Sequence, residues 1–141
     1  KGRGVETYFL SFTTDPESMR VAARENATAI KALSDPQFIL QQLGLQCKIA
    51  ESSRLAERVQ SNLVGRLRGQ YDEVIDKGVK KAPFYVLIGA QMPSVLVETA
   101  FISNKVEAER LATEAYRDLV AKGIVYGIKK YMEDVEFSAQ H

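Results

Sequence analysis

The apolar run over residues 95–102 sets narrow limits on the fold, because it carries a single charged residue near its middle. The run reads VLVETAFI, and its one charged residue is Glu98. A second apolar run covers residues 84–88, and a segment with a glycine and a proline separates the two. Continuous apolar runs of this length are typical of strands buried on both faces of a sheet. We therefore predict two buried strands here, with Glu98 inside the more hydrophobic one.

The first half of the chain predicts one strand followed by helices. Residues 5–12 are rich in β-branched and aromatic residues, which favour a strand. Asp15 followed by Pro16 is typical of a helix start. Ser34 and Asp35 predict the start of a shorter helix that ends before Gly44. Apolar residues at helical spacing predict two stripes, one formed by Met19, Ala22, Ala23, Ala27, Ile30 and Leu33, and one on a long helix from Ala50 formed by Leu55, Val59, Leu63 and Leu67.

The second half adds a loop and a closing helix. Residues 71–82 lack a sustained period and are predicted to form a loop. Asn104 and Glu107 have the spacing of a capping box, which predicts a helix start. Gly123 and Gly127 lie on one side of that last helix, with Tyr116, Val120 and Tyr131, and we expect them to allow close approach to the sheet. The order of elements predicts an α/β fold with a mixed, mostly buried sheet, covered by helices on both faces, in one domain over residues 1–141.

Composition excludes several classes of protein. The 141 residues contain 19 Lys+Arg and 18 Asp+Glu, a net charge of +1 that argues against a nucleic-acid-binding protein. One cysteine, Cys47, cannot form an internal disulfide, and we interpret it as a small buried hydrophobic residue. No run reaches the ~20 apolar residues of a membrane-spanning helix. The chain opens directly into a strand-like run without a signal peptide, so we expect it to be part of a longer polypeptide.

Glu98 is the first candidate for a functional residue. A buried carboxylate without a partner costs several kcal/mol or more, unless it is paired, hydrogen-bonded, close to a metal or protonated. One interpretation is a structural salt bridge to an Arg or Lys of a neighbouring helix. The other is a functional carboxylate facing a crevice, since sites in open α/β sheets collect at strand ends. The residues alone leave both interpretations open.

The other polar candidates have simpler structural explanations. Strand alternation can place Glu6 on a solvated face, and Glu25 and Asn26 fit the exposed face of a helix. Lys80 and Lys81 fit a solvated loop. His141 is the only histidine and the terminal residue, which favours a flexible end over a metal ligand. One histidine and one cysteine exclude the common metal and triad motifs, and these residues alone cannot form a three-ligand catalytic zinc site.

Several segments together resemble a known enzyme family. They are KAPFYVL at residues 81–87, MPSVLVETAFISN at 92–104, GVETYFLS at 4–11, ARENA at 23–27, ESSRLAE at 51–57 and VAKGI at 120–124. Taken in their order along the chain, they are similar to the C-terminal part of the zinc-dependent N-acetylmuramoyl-L-alanine amidases of the amidase_3 type. The resemblance runs from about Gly4 to Tyr131, which is nearly the whole chain.

The resemblance implies a role for Glu98 and a metal from elsewhere. The glutamate of the family's Val-Glu-Thr segment is its catalytic acid/base, and it corresponds to Glu98. The family's zinc ligands are two histidines and a glutamate upstream of the strand at residues 5–12, so the resemblance places them before Lys1. Neither Glu6 nor His141 matches a ligand position. Many members have glycine where this chain has Ala100, a small departure.

The implied activity is hydrolysis of the amide between N-acetylmuramic acid and L-alanine in peptidoglycan. The resemblance implies zinc as cofactor, and the stem peptide and muramic acid as substrate. It also implies the upstream part of the same catalytic domain as partner, and a periplasmic or extracellular location at the cell wall. Two alternatives remain. The chain is a non-catalytic amidase fragment without a metal site, or it is a peptidoglycan-binding module in which Glu98 is only ion-paired.

Overall fold

The structure is a computed structural model that describes residues 2–28 and 46–140. These residues form three strands, four α-helices and a short 3₁₀ helix. Their bounds in chain order are β1 (Val5–Leu10), α1 (Pro16–Thr28), α2 (Gln46–Arg68), β2 (Asp76–Ala82), the 3₁₀ helix (Tyr85–Leu87), β3 (Val95–Glu98), α3 (Lys105–Ala112) and α4 (Glu114–Ala139). The predicted helix from Ser34 to Leu43, and the stripe positions Ile30 and Leu33, lie outside the described residues.

The sheet is mixed, as predicted, with strand order β2-β1-β3. The central strand β1 runs parallel to β2 and antiparallel to β3. Tyr8 and Leu10 of β1 pack on one face with Ala22 of α1. On the other face, Val5 packs with Leu63 of α2 and with α4. Helices therefore cover both faces of the sheet, which confirms the predicted α/β fold.

Helix α2 is tied to the sheet by a buried glutamine as well as by apolar packing. The four predicted stripe residues of this helix are all buried. Gln60 lies among them, and its Nε2 donates to the carbonyl of Val5 (2.9 Å) and to Asp76 Oδ1 (2.6 Å). Its Oε1 accepts a hydrogen bond from Thr7 Oγ1 (2.8 Å). Both polar ends of Gln60 are thus satisfied, so burial of this side chain carries little of the usual desolvation cost.

Helix α1 begins where the sequence predicts, but a different face is turned inward. The backbone N–H of Ser18 donates to Asp15 Oδ2 (2.7 Å), which is N-terminal capping by Asp15. Ser18 and Ala22 are buried, whereas Met19 is 42% exposed. Ala23 and Ala27 are also exposed, so Ala22 is the only buried residue among the described members of the predicted apolar stripe. The small residues at Ser18 and Ala22 let the helix lie close to the tyrosine and leucine side chains of β1.

Two predictions about strands in residues 71–88 are wrong. The predicted loop over residues 71–82 contains β2, a mostly polar strand whose regular structure comes from its parallel pairing with β1. The predicted strand over residues 84–88 contains the 3₁₀ helix instead. Phe84 and Leu87 are nevertheless buried in the α1-side core. Their hydrophobicity reports burial, which a 3₁₀ helix achieves as well as a strand.

Strand β3 is confirmed but is shorter and less buried than predicted. It ends at Glu98, and all of its residues are half-buried. Within residues 2–28 and 46–140, β1 is the only strand that pairs with it. The prediction that it is buried on both faces is therefore wrong for the described part of the chain.

The C-terminal region consists of two helices separated at Thr113. Asn104 caps α3, as predicted, with its side chain accepting from the backbone N–H groups of Val106 and Glu107. Thr113 ends α3 and caps α4, accepting from Tyr116 N. Gly123 and Gly127 are buried as expected, but they approach helix α2 rather than the sheet.

None of the helices in the described ranges is both long and apolar enough to cross a membrane.

Candidate active site

Glu98 is the last residue of β3 and is half-buried. It lies directly across from Glu6 of β1 in the antiparallel pair, so both side chains project to the same face of the sheet. Within residues 2–28 and 46–140, no hydrogen bond or ion pair is formed by the Glu98 carboxylate. The salt bridge to a neighbouring helix, one of the two interpretations of the sequence, is therefore not found in the described part of the chain.

The surroundings of Glu98 favour its protonated form. Burial raises the pKa of the Glu98 carboxyl, and the negative charges of Glu25 on α1 and Glu6 on β1 raise it further. The ammonium of Lys77 on β2 acts in the opposite direction and lowers it. The net effect is a raised pKa, because desolvation and two like charges outweigh one cation at a distance. A carboxyl of this kind can both accept and return a proton.

Glu6 is fully buried, with 0% of its surface exposed, so the solvated position expected for it is wrong. The Nζ atoms of Lys77 and Lys80 each lie 2.9 Å from Glu6 Oε2. These contacts are ion pairs without the alignment of a hydrogen bond to that oxygen. The hydroxyl of Tyr8 donates to Glu6 Oε1 (3.0 Å). The desolvated carboxylate is thus compensated by two cations and one hydrogen bond, as buried charges require.

A bulge in β2 brings both lysines to Glu6. Val5 pairs with Asp76 and Glu6 pairs with Gly78, so Lys77 is an extra residue in β2. Gly78 has φ +77°, a left-handed conformation that favours glycine. In a regular strand, two residues three positions apart face opposite sides of the sheet. The extra residue shifts this alternation, and Lys77 and Lys80 therefore reach the same carboxylate.

Glu17 of α1 completes the charged group, which we call the Glu6 cluster: Glu6, Tyr8, Glu17, Lys77 and Lys80. Lys77 Nζ lies 2.7 Å from Glu17 Oε1, and Lys80 Nζ lies 3.7 Å from Glu17 Oε2. The hydrogen bond from Lys77 and the charge of Lys80 lower the pKa of Glu17. Burial alone would lower the pKa of Lys77, but its contacts with Glu17 and Glu6 raise it overall. The predicted solvated loop at Lys80 is therefore wrong for Lys80, while Lys81 is exposed as expected.

The segment that follows Glu98 is fixed by contacts from the C-terminal helices. The hydroxyl of Tyr116 on α4 donates to the carbonyl of Thr99 (2.8 Å). Glu107 on α3 accepts from the backbone N–H of Phe101 through Oε2 (2.8 Å) and from that of Gly4 through Oε1 (2.6 Å). Glu107 thus binds two neighbouring segments rather than closing the predicted capping box. These contacts hold the segment that follows β3 close to the start of β1.

Asn26 joins α1 to the segment after β2. Its Nδ2 donates to the carbonyl of Pro83 (2.9 Å), and its Oδ1 accepts from Tyr85 N (2.8 Å). Asn26 is half-buried, so the predicted exposed position is wrong for it, while the neighbouring Glu25 is exposed as predicted. This double hydrogen bond fixes the helix that carries Glu25 against the sheet.

The described residues do not form a metal site. Among residues 2–28 and 46–140, no group of three or more His, Cys, Asp or Glu side chains could hold a metal ion. The carboxylate pair Glu6 and Glu98 falls short of a donor set, since Glu6 is already bound by two lysines. His141 and the side chain of Cys47 lie outside the described part.

Sequence reasoning singled out Glu98 but missed the Glu6 cluster. Alternation along β1 predicts which residues share a face, without indicating whether that face is solvated. The lysines come from a strand that lacks a hydrophobic period. The one available signal was Gly78 between two lysines at Lys77 and Lys80, because an isolated glycine in a strand often marks a bulge.

Comparison with known proteins identifies the family. A sequence-family model described as Amidase_3: N-acetylmuramoyl-L-alanine amidase matches residues 1–130. N-acetylmuramoyl-L-alanine amidase LytC of Bacillus subtilis is 45% identical over 82 residues, covering 58% of this chain and 16% of LytC. N-acetylmuramoyl-L-alanine amidase AmiA of Escherichia coli is 26% identical over 129 residues, covering 92% of this chain and 43% of AmiA.

A solved structure shares the fold. The N-acetylmuramoyl-L-alanine amidase from Clostridium difficile 630 aligns with a TM-score of 0.62 at 25% identity, covering 94% of this chain and 50% of that one. The chain thus spans half of this structure and less than half of LytC and AmiA. Since the family model covers most of the sequence, the chain belongs to the Amidase_3 family of N-acetylmuramoyl-L-alanine amidases.

Proposed function

We propose that this chain supplies the proton-transferring carboxylate of a peptidoglycan amidase, with Glu98 as its general acid/base. The reaction is hydrolysis of the amide between N-acetylmuramic acid and the L-alanine of the stem peptide. Family membership supports the reaction type. The observation that supports the role of Glu98 is its half-buried carboxylate at the end of β3, which has no cation partner among the described residues.

The chemistry requires one group that moves a proton twice. The ionised Glu98 carboxylate accepts a proton from the attacking water as the new C–O bond forms at the amide carbonyl. When the C–N bond breaks, the protonated carboxyl returns that proton to the leaving amine of L-alanine. The raised pKa of Glu98 suits this cycle, because it lies closer to the pH at which the reaction runs.

Zinc belongs to the family's chemistry, but the described residues do not fit a zinc ion. A catalytic zinc site needs about three protein ligands, and residues 2–28 and 46–140 bring no such set together. We therefore propose that the zinc ligands come from outside these residues, in the upstream part of the catalytic domain that the family resemblance implies.

The lack of a donor set favours one alternative, namely that the chain is inert when it is isolated. This alternative concerns the chain alone and is compatible with activity of a polypeptide that contains the complete catalytic domain. The second alternative, a binding module with an ion-paired Glu98, has less support, because no such ion pair is present in the described part of the chain.

Family membership supports a proposal for the partners and the location. We propose that the substrate site contacts muramic acid and the stem peptide of peptidoglycan, and that the protein acts at the cell wall, in the periplasm or outside the cell. The described helices contain no membrane-spanning candidate.

The test is Glu98→Gln in the polypeptide that contains the complete catalytic domain. We expect a decrease in hydrolysis of purified peptidoglycan by a factor of about 10²–10⁴, measured as released amino groups, because the proton acceptor is lost. Glu136→Gln on the exposed surface of α4 is the matched control and should retain full activity. Retained hydrolysis in Glu98→Gln, with only stability altered, would refute the general acid/base assignment.

A further inference from the structure

The Glu6 cluster contains a buried carboxylate that the proposed reaction does not use. Glu6 is 0% exposed and lies opposite Glu98 in the strand pair. A buried like charge beside a general acid/base is costly, and its two lysine partners add further desolvation. This arrangement raises the question of what the cluster does for Glu98.

Lys77 is the cation whose charge acts on the Glu98 carboxyl in the described part of the chain. Its Nζ lies 4.9 Å from the centre of the Phe101 ring, and Ala100 alone separates Phe101 from the segment of Glu98 and Thr99. The side chain of Lys77 therefore lies beside the segment that follows β3. Its charge acts on the Glu98 carboxyl, while its short contacts are with Glu6 (2.9 Å) and Glu17 (2.7 Å).

Both anchors of Lys77 are carboxylates other than Glu98, namely those of Glu6 and Glu17. Glu6 Oε2 holds Lys77 and Lys80 at equal distance, and Tyr8 fixes the other oxygen of Glu6. Glu6 is thus a rigid counter-ion. Without it, Lys77 would keep only Glu17 as an anchor, and its flexible four-carbon side chain could turn toward Glu98, which has no cation partner among the described residues.

We propose that Glu6 is a positioning residue that retains Lys77 and so keeps the Glu98 carboxylate free of an ammonium partner. This inference rests on the proposed function of Glu98. Three charged groups face Glu98 from the elements packed against it, namely Glu25 of α1, Glu6 of β1 and Lys77 of β2. Glu6 acts twice, as a like charge facing Glu98 and as the anchor of the one cation among the three.

The experiment compares two double variants of equal charge. E6Q/K80M and E6Q/K77M each remove one buried carboxylate and one ammonium, so the charge balance of the cluster is kept in both. Only E6Q/K80M retains Lys77 without its Glu6 anchor. The single variants K80M and K77M give the same comparison with Glu6 in place, where Lys77 already lowers the pKa of Glu98. We expect the Glu98 titration midpoint to be lower in E6Q/K80M than in E6Q/K77M by about 1–3 pH units, a larger difference than between K80M and K77M, because an ammonium no longer held by Glu6 can pair with Glu98.

The midpoint is measured by ¹³C NMR of carboxyl-labelled glutamate in the 141-residue chain, with Glu98 assigned by its absence in Glu98→Gln. A difference between the two double variants that is no larger than the difference between K80M and K77M, or the reverse order, would overturn the proposal. The unaltered chain provides a measurement that needs no variant of the cluster. Its Glu98 midpoint must lie above the ordinary value for glutamate, and a lower midpoint also contradicts the proposal.

Activity measurements separate this inference from the proposed function. In the complete catalytic domain, the acidic limb of the kcat/KM profile should lie at lower pH in E6Q/K80M than in E6Q/K77M. If Glu98→Gln retains activity while the NMR order holds, the proposed function fails and the role of Glu6 in retaining Lys77 stands. If Glu98→Gln is inactive while the two midpoints are equal, only the positioning role fails.

Discussion

At the scale of single residues, Glu98 loses hydration without gaining a cation partner in the described part of the chain. Burial and the charges of Glu25 and Glu6 all raise its pKa, and only Lys77 lowers it. Such a site destabilises the folded state at neutral pH, since the ionised carboxylate is better solvated in the unfolded chain. Residues held in this way commonly serve a function that offsets the loss of stability.

Glu98→Gln should therefore increase the stability of the folded chain at neutral pH. At low pH the carboxyl is protonated in both states and makes no difference. As pH rises above the ordinary value for glutamate, the unfolded chain releases the proton first, because the folded pKa is raised, and stability falls until pH passes the folded pKa. A neutral glutamine does not undergo this loss.

The measurement is the Tm of both chains over a pH series by circular dichroism. The Tm advantage of Glu98→Gln should be absent at low pH, increase across that window and stay constant above it. Glu136→Gln controls for the loss of a negative charge as such. A Tm difference that does not change with pH would show that ionisation of Glu98 has no part in it.

Residue by residue, the sequence indicated that Glu98 lies in a strand and is shielded from solvent, but not that Glu6 is buried. An acidic residue in an apolar run is visible without a structure. The burial of Glu6 depends on Lys77 and Lys80, which reach it only through the bulge in a strand that carries no hydrophobic period. The pairing of β1 with β2, which is distant in sequence, therefore decides whether Glu6 is buried. The residue pattern of β1 alone does not.

At the scale of secondary-structure elements, the close contact of α2 and α4 depends on two glycines. A Cβ atom at Gly127 would lie 2.5 Å from Val59 Cα and 2.8 Å from the carbonyl oxygen of Arg58. A Cβ atom at Gly123 would lie 2.7 Å from Leu63 Cα. These neighbours are backbone atoms of α2, which cannot move aside as a side chain can. The glycines thus set the distance between the helices.

Gly127→Ala should destabilise the fold even though alanine favours helices. The overpacking cost of about 1–3 kcal/mol exceeds the gain in helix propensity of about 1 kcal/mol, because the backbone of α2 must shift. Gly65→Ala on α2 is the matched control, since that position is exposed and nothing lies within 4 Å of the added Cβ atom.

Urea unfolding measures both changes as shifts in the free energy of unfolding. We expect a decrease for Gly127→Ala and an increase of up to about 1 kcal/mol for Gly65→Ala. An increase in both variants would mean that the two helices can separate without cost, contrary to the packing described above.

The elements with a helical period were predictable, and the mostly polar strand was not. The apolar positions of α2 recur at helical spacing and are buried, so the sequence indicates the element directly. Strand β2 contains lysines and an aspartate, and it exists because β1 offers its edge in parallel register. Residues 84–88 show the opposite case, in which hydrophobicity correctly indicated burial but not the type of structure.

At the scale of the whole molecule, the described residues present the half-buried carboxylate of Glu98 and no metal donor set. The three strands place β1 at the centre, and both edge strands contribute to the site, β2 through lysines and β3 through Glu98. The chain spans about half the length of a solved family structure. The activity proposed above therefore depends on residues beyond those described.

The 141-residue chain should not bind zinc tightly by itself, because its described residues assemble no group of three donors. Zinc content after dialysis and competition with a chromophoric chelator measure this. We expect less than stoichiometric zinc and no effect of a chelator on Tm. A tight one-to-one complex would place the zinc ligands inside this chain and contradict the proposed upstream donors.

The bulge at Lys77 and Gly78 has a consequence for how this protein can change over time. Because the extra residue lies at one point of β2, losing it would leave the register of Val79, Lys80 and Ala82 against β1 intact. A deletion of one codon there would remove the positive charge of Lys77 beside Glu6 without rebuilding the sheet. The loss of one residue in β2 can therefore raise the pKa of Glu98, without any substitution in the strand that carries Glu98.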